Sequence, residues 1–406
     1  MEWDREFILQ TVDPEFLYSP FRIANLMGKK FLVLGGAGDM GSSVVSDLAI
    51  YGDGEIMIGD INERSIDRAI SKLRRKGIEA SGIKVDVANR RMLGDCISKA
   101  DVVVNTVGPF YRFEEGIVEE VGKREVDYVD ICDDYDVTSS IFLSRRKSGN
   151  VKGREVIGMG WTPGITNVCA RDGFSELDTT DEINIAWVGS AADAAGKAVI
   201  EHTFHAVTGD VPMFLEGKIS NVPARQFHRE IDFPEPIGKV DTYYTGHPEP
   251  ITIPIFLKGV KQVTVRGSLV PDWQNHLVSQ FADIGMTENR VVDVNGTKVS
   301  SRQFLVSFVF ETMDQFRSGG IEESGFWVEV KGRKGGKRMT ILYSGADRMK
   351  RMTGIPAAIA AEYLAGNRSL GKGIYAPEGA IDPSIFFREL KKRKIIVKKY
   401  VQTEEF

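Results

Sequence analysis

Cysteine is scarce in this chain: Cys96, Cys132 and Cys169 are the three in 406 residues, far apart and with no C-x-x-C. That excludes a disulfide framework and a cysteine-built zinc site, and it fits a reducing compartment. Long apolar runs are missing as well, since no uncharged stretch approaches the roughly 20 residues that span a bilayer. Nor is there a surplus of positive charge. The net charge is -5 and the pI about 5.8, which gives no reason to expect nucleic-acid binding. Basic clusters at 331–338 and 388–399 are local, and the first, rich in glycine between alternating segments, reads as a solvated hairpin tip. The opening MEWDREFILQ has neither the basic nor the apolar region of a signal peptide. A cytoplasmic protein without a membrane or nucleic-acid partner is expected.

What is present is the composition of a globular chain, 42% hydrophobic and 27% charged, long enough for two domains. The most informative stretch is FLVLGGAGDMG, residues 31–41. Its apolar start suits a strand buried on both faces. Gly36, Gly38 and Gly41 follow with G-x-G-x-x-G spacing, and Ser42 to Leu48 continues as a helix. Such glycines serve a tight turn, close approach of backbone to a pyrophosphate, and helix-on-strand packing. Asp39 within the loop is explained as a first-turn acid favoured by the helix dipole. A second strand, EIMIGD, ends at Asp60, 19 positions after Gly41, where a carboxylate can hold an adenosine ribose.

Strands at 83–87, 101–107, 128–131 and 156–159 then alternate with helical segments near 63–76, 90–99 and 114–122. This is the pattern of a doubly wound parallel sheet, whose right-handed crossovers bring every strand's C-terminal end to one edge. Gly36, Asp60, Asp86, Gly108, Asp130 and Gly160 should therefore share one crevice. From about residue 165 the pattern changes to β-branched and proline-rich segments, with strand pairs around 332–336, as expected of an α+β domain on a mixed or antiparallel sheet. Residues 353–366 read as an alanine-rich helix with Pro356 in its first turn. Residues 1–28 form an extension whose Phe7, Ile8 and Leu9 would dock on the first domain.

GGAGDMG, ADVVVNTVGPF, VDYVDICDD, GMGWTPGITN and TGIPAAIAAEYLAG…GIYAPEGAIDPSIFFREL together resemble the saccharopine dehydrogenase family over residues 30–395. That family includes saccharopine reductase, lysine 6-dehydrogenase and carboxynorspermidine dehydrogenase. The resemblance implies a Rossmann domain at 29–160 plus 346–406, completed by C-terminal helices, and an α+β substrate-binding and dimerising domain at 161–345. It implies NAD(P)-linked oxidation of a C–N bond in an amino acid, or the reductive amination that makes one, with a lysine or lysine-derived substrate, and a homodimer. A non-catalytic NAD(H) sensor is the competing reading.

The candidate cofactor site comprises Gly36, Gly38, Asp39, Met40 and Gly41; Asp60, Ile61 and Asn62; Asp86 and Val87; Thr106, Val107, Gly108 and Pro109; Asp130; and Gly160. Asp60 would repel a 2′-phosphate and so favours NAD over NADP, although Arg64 nearby could offset it. Oxidising an amine requires a base for the ammonium proton. Asp133 is the preferred candidate among three acids at the fifth strand's end, and capping of the next helix by Asp133 or Asp134 explains them equally well. His202 is a candidate proton shuttle. H-x-x-H at His202 and His205 lacks a clear third ligand, so no metal is expected. Tyr111, Arg112 and Trp161 are candidates to face a small amino-acid substrate, and Lys197 and Arg225 to grip its carboxylate.

Overall fold

The computed structural model describes residues 26–149, 151–193, 196–317, 320–367 and 369–404. Most of the N-terminal extension, with Phe7, Ile8 and Leu9, lies outside the described residues. The first strand, β1 (Lys30–Leu34), is buried from Phe31 onward. It pairs in parallel on one side with β2 (Glu55–Asp60), beyond which lies β3 (Ser81–Lys84). On its other side stand β4 (Val102–Asn105), β5 (Asp127–Asp130) and β6 (Arg154–Val156), and the strand Gly373–Tyr375 closes that edge. The seven-stranded order therefore reverses between β1 and β4, which opens a crevice at their C-terminal ends. The helices α1 (Asp39–Tyr51), α2 (Glu63–Arg74), α3 (Arg90–Ile97), α4 (Phe110–Gly122) and α5 (Tyr135–Ser148) make the connections.

Two strands end earlier than their apolar runs suggest. Val85 and Val87 follow β3, and Ile157 and Met159 follow β6, as loop residues whose side chains still pack in the core. Burial, not pairing, explains these apolar residues. The late helix begins at Met349, so Pro356 lies inside it and not in its first turn. Its small residues let it pack closely on α1: a Cβ on Gly354 would stand 2.5 Å from that of Ser43. Buried Arg393 joins this assembly to the chain's end by pairing with Asp47 of α1, Glu362 and Glu389.

After α6 (Ile165–Glu176) the chain enters a nine-stranded mixed sheet. At its centre β7 (Thr179–Ser190) runs parallel to Gln262–Val270 and antiparallel to Ser324–Lys334. Ser324–Lys334 and Lys337–Asp347 form a hairpin turning at Gly335 and Gly336, so the basic cluster is a hairpin tip. The last strand, Lys398–Glu404, adds to this second sheet. Assigning 346–406 wholly to the first unit is thus corrected: hydrogen bonding to Arg338–Ser344 draws the terminus back. Between β7 and the rest of the second sheet, α7 (Lys197–Ala206) leans over the C-terminal ends of β4 and β5.

Candidate active site

The loop after β1 is shaped by backbone crowding. Gly35 takes the turn, at φ +72°, a conformation that strains residues bearing a Cβ. The tight-turn job thus belongs to Gly35 and not to Gly36. A Cβ on Gly41 would stand 2.2 Å from the Gly35 carbonyl oxygen, so only glycine lets α1 come this close. The helix starts at Asp39, three residues before the expected Ser42, and its N-cap, Gly38, offers no side-chain acceptor. The first N–H groups of α1 are left open to an anion. Asp39 is exposed in the first turn. The Asp60 carboxylate accepts from Ala37 N at 3.3 Å and Asn62 N at 3.1 Å, which fixes it beside the loop. The Thr106 hydroxyl donates to the Leu34 carbonyl at 2.8 Å and closes the loop's other side. An uncapped helix end, glycine-only backbone and a ribose-height carboxylate fit a dinucleotide.

Other predicted cofactor residues have different duties. Asn62 caps α2 by accepting from Ser65 N, and Asp86 accepts from Ala88 N at 2.9 Å. Val87 and Val107 pack into the core, whereas Ile61 is exposed. Asp130 is corrected outright. Fully buried, it accepts from Gly158 N at 2.7 Å and Cys132 N at 2.9 Å. Burial raises its carboxyl to about 6, beside Glu114, whose own carboxyl is pushed well up by burial and by Asp130. The pair seals the sheet's end and offers nothing to a ligand.

Where β4, β5 and the segment after β6 meet α7 lies a cavity of ≈ 130 Å³. It brings together Met40, Thr106, Gly108, Pro109, Tyr111, Asp133, Gly160, Trp161 and His202. The α7 N-terminus covers it: a Cβ on Gly108 would touch that of Ala198 at 2.9 Å, and one on Gly196 would lie 3.5 Å from Asp39 Oδ2. Tyr111 ties the two walls by donating its hydroxyl to Glu201 at 2.7 Å and its backbone N–H to Asp134 at 3.2 Å. Burial and this bond raise the phenol to about 12.

His202 lines this cavity among charged neighbours. Its Nδ1 lies 3.0 Å from Asp134 Oδ1 and 3.2 Å from Asp133 Oδ1, and its Nε2 lies 3.3 Å from His247 Nε2. Burial opposes charge on His202, but Asp133 and Asp134 overcome it and raise the imidazole to about 9. The two carboxylates thus favour the charged imidazolium form of His202. Burial raises Asp133, against the pull of His202, whereas at Asp134 the hydrogen bond to His202 outweighs burial and lowers it. Asp134 holds the N-cap position of α5 yet makes no side-chain cap bond, so the capping explanation fails for it. The donor atoms of Asp133, Asp134 and His202 lie within 4.8 Å of one another, so the two carboxylates and the imidazole form a set close enough to hold a small cation. His205 instead meets Asp136 at 3.2 Å and stacks on Tyr135, so H-x-x-H does not act as a pair.

His247 and Glu249 escaped sequence reasoning. His247 Nδ1 lies 3.5 Å from Glu249 Oε2, and Glu249 Oε1 accepts from Thr162 at 2.7 Å and Thr166 at 3.1 Å. Burial opposes the Glu249 charge, but hydrogen bonds from His247 and Thr162 prevail and lower its carboxyl. Trp187 was missed too; it packs on Trp161 and His247. The expected carboxylate clamps lie elsewhere. Arg225 pairs with Asp283 at 2.7 Å and with the Val207 and Ser279 carbonyls, beside a second, smaller cavity that it lines with Trp187 and Thr203. Lys197 lies over the Phe310 ring and Arg112 over Phe113, and neither lines the cavity. Asn167 orients α6 as expected, accepting from Gly164 N at 2.8 Å.

Known proteins place this geometry. Residues 31–151 match the model of the saccharopine dehydrogenase NADP binding domain, and 160–396 that of the saccharopine dehydrogenase C-terminal domain. The fold is similar to apo saccharopine dehydrogenase (L-Glu forming) from Saccharomyces cerevisiae, with a TM-score of 0.68 at 15% identity over 92% of this chain and 100% of that one. A 2-dehydro-3-deoxy-D-gluconate 5-dehydrogenase from Formosa agariphila is 26% identical over 136 residues, 31% of this chain and 52% of that protein. A tropinone reductase homolog from Arabidopsis thaliana is 38% identical over 66 residues, 16% of this chain and 21% of that protein. The chain thus spans about half or less of these two curated relatives.

Proposed function

The chain belongs to the saccharopine dehydrogenase family, and we propose that it is an NAD-linked oxidoreductase acting on a C–N bond of an amine-bearing substrate, an amino acid or its imine. One observation carries the reading: the Asp133–His202 pair shares a cavity with Thr106, Gly108 and Gly160, at the end of the crevice that begins with the open α1 N-terminus. The nicotinamide ring, when bound, accepts or returns the hydride. The protein's residues position and move protons. Imidazolium His202 keeps the neighbouring carboxylates ionised. Asp133 takes the proton of the substrate ammonium, freeing the nitrogen lone pair that drives hydride departure from carbon. Once that proton has passed to solvent, the regenerated carboxylate accepts one from the water that attacks the imine and returns it to the departing amine. Trp161, Trp187 and the α7 cover limit other water.

Asp60 supports NAD over NADP, because a carboxylate held at the end of β2 beside the glycine loop would repel a 2′-phosphate. The dimer implied by the resemblance is retained as part of this proposal, and a monomeric mass in solution would contradict it. The functional test is a titration with NAD(H) and NADP(H), followed by an amine and amino-acid screen at the reduced-nicotinamide absorbance band. Binding of NADH with turnover of an amine is expected. Absence of dinucleotide binding overturns the reading, and binding without turnover of any amine turns the protein into a sensor.

A further inference from the structure

The His202 imidazole has a neighbour on each nitrogen. Nδ1 faces Asp133 and Asp134, and Nε2 faces His247 Nε2 at 3.3 Å. Two ring nitrogens at that distance share one proton, so either His202 donates or His247 does. The choice is made on the far side of His247. That residue is 2% exposed, Glu249 is fully buried, and His247 Nδ1 stands 3.5 Å from Glu249 Oε2. Neither atom has another hydrogen-bond partner among the described residues. Glu249 Oε1 is taken by the Thr162 and Thr166 hydroxyls, which leaves Oε2 to His247.

An ionised carboxylate can only accept, and hydrogen bonds from His247 and Thr162 keep Glu249 ionised against burial. If His247 carried its proton on Nε2, its bare Nδ1 would face that carboxylate. Two opposed acceptors in a dry interior are costly. With the proton on Nδ1, His247 donates to Glu249 and its Nε2 becomes an acceptor. His202 must then supply an Nε2–H. Trp187 packs on His247, ring centroids 5.5 Å apart, and steadies the ring.

This constrains the other nitrogen of His202. With Nε2–H spent on His247, the ring donates from Nδ1 to the acids only when it is charged. A neutral ring with its proton on Nδ1, which would serve Asp134 without any positive charge, is shut out. Resting on the C–N oxidoreductase reading, we propose that Glu249 is a positioning residue for the base: through the tautomer of His247 it makes His202 meet Asp133 and Asp134 as a cation. Beside a cation the two carboxylates stay ionised, and Asp133 is free to take the substrate's proton. Beside a neutral ring they repel one another.

Imidazole nitrogen NMR on the NADH-loaded protein tests the arrangement. The chain has five histidines, and His202→Asn and His247→Asn identify the two signals by their loss. In the wild type His247 should be protonated on Nδ1 alone and His202 on Nε2; a His247 proton on Nε2 overturns the proposal. Glu249→Gln is the second arm. The two threonine hydroxyls hold the amide oxygen, so the amide N–H₂ faces His247 and should drive its proton to Nε2. Single-turnover hydride transfer to NAD, from the amine found in the screen, should then fall about 10–100-fold, the usual effect of a residue that orients another. A tautomer change with wild-type hydride transfer, or slowed transfer with both tautomers unchanged, overturns the positioning role. The expected tautomers in a wild-type protein that oxidises no amine would support the hydrogen-bond assignment and overturn the oxidoreductase reading alone.

Discussion

The two walls of the cleft are built from different material. On the nucleotide side the critical features are backbone: the Gly35 turn, the uncapped start of α1 and the glycine at 41 that lets helix and loop touch. On the side proposed to take the substrate they are side chains, Asp133, Asp134, His202, His247 and Glu249, held by one another's charges. A backbone site fails when atoms are added. A charged site fails when a charge is removed or the pH moves.

The largest effect should come from adding one methyl group to the nucleotide wall. In Gly41→Ala the Cβ must displace the Gly35 carbonyl, at about 3 kcal/mol or more. NADH affinity and melting temperature should fall together, and an unchanged affinity would dissolve the contrast between the two walls. Of similar size is the pH response of the substrate wall. The folded state holds the His202 proton up to about pH 9, whereas an unfolded histidine releases it near 6.5. The resulting stabilisation, about 3 kcal/mol, is complete below pH 6.5 and lost as pH rises to 9. Melting curves across that range should show the decline, and His202→Asn should flatten it.

A smaller effect separates two acids on the same strand end. Asp130→Ala leaves the Gly158 and Cys132 N–H groups unpaired and should cost about 2 kcal/mol by denaturant unfolding. NADH affinity should be kept in the folded fraction, and its selective loss would restore Asp130 to the cofactor site. Smallest is Arg225→Ala, which removes an ion pair to exposed Asp283 and the hydrogen bonds to the Val207 and Ser279 carbonyls. Stability should fall by about 1 kcal/mol and the KM for substrate should not change.

The same contrast explains what the sequence made legible. The nucleotide wall lies in one contiguous stretch, and its requirements are glycines at fixed spacing, which periodicity and turn chemistry expose. Asp60 was readable for the same reason, as the last residue of an apolar strand. On the substrate wall, His247 reaches His202 from 45 positions away because the second sheet folds back. No local pattern in TGHPE, residues 245–249, announces that approach. Asp130 and Asp133 show the limit most clearly. They are three residues apart at the end of β5, equally acidic in sequence, yet one is roofed by backbone N–H groups and the other opens to the cavity. Arg225 misleads because a long cation near a cleft is expected to reach the substrate, whereas the Val207 and Ser279 carbonyls and Asp283 hold its guanidinium elsewhere.

Whether Asp133 is the base of the substrate wall is decided by hydride transfer in Asp133→Asn, measured in a single turnover with NADH affinity titrated on the same sample. Affinity should be unchanged and the rate lower by about 10²–10⁴-fold, the usual contribution of a positioned base. Wild-type hydride transfer in that variant would contradict the assignment.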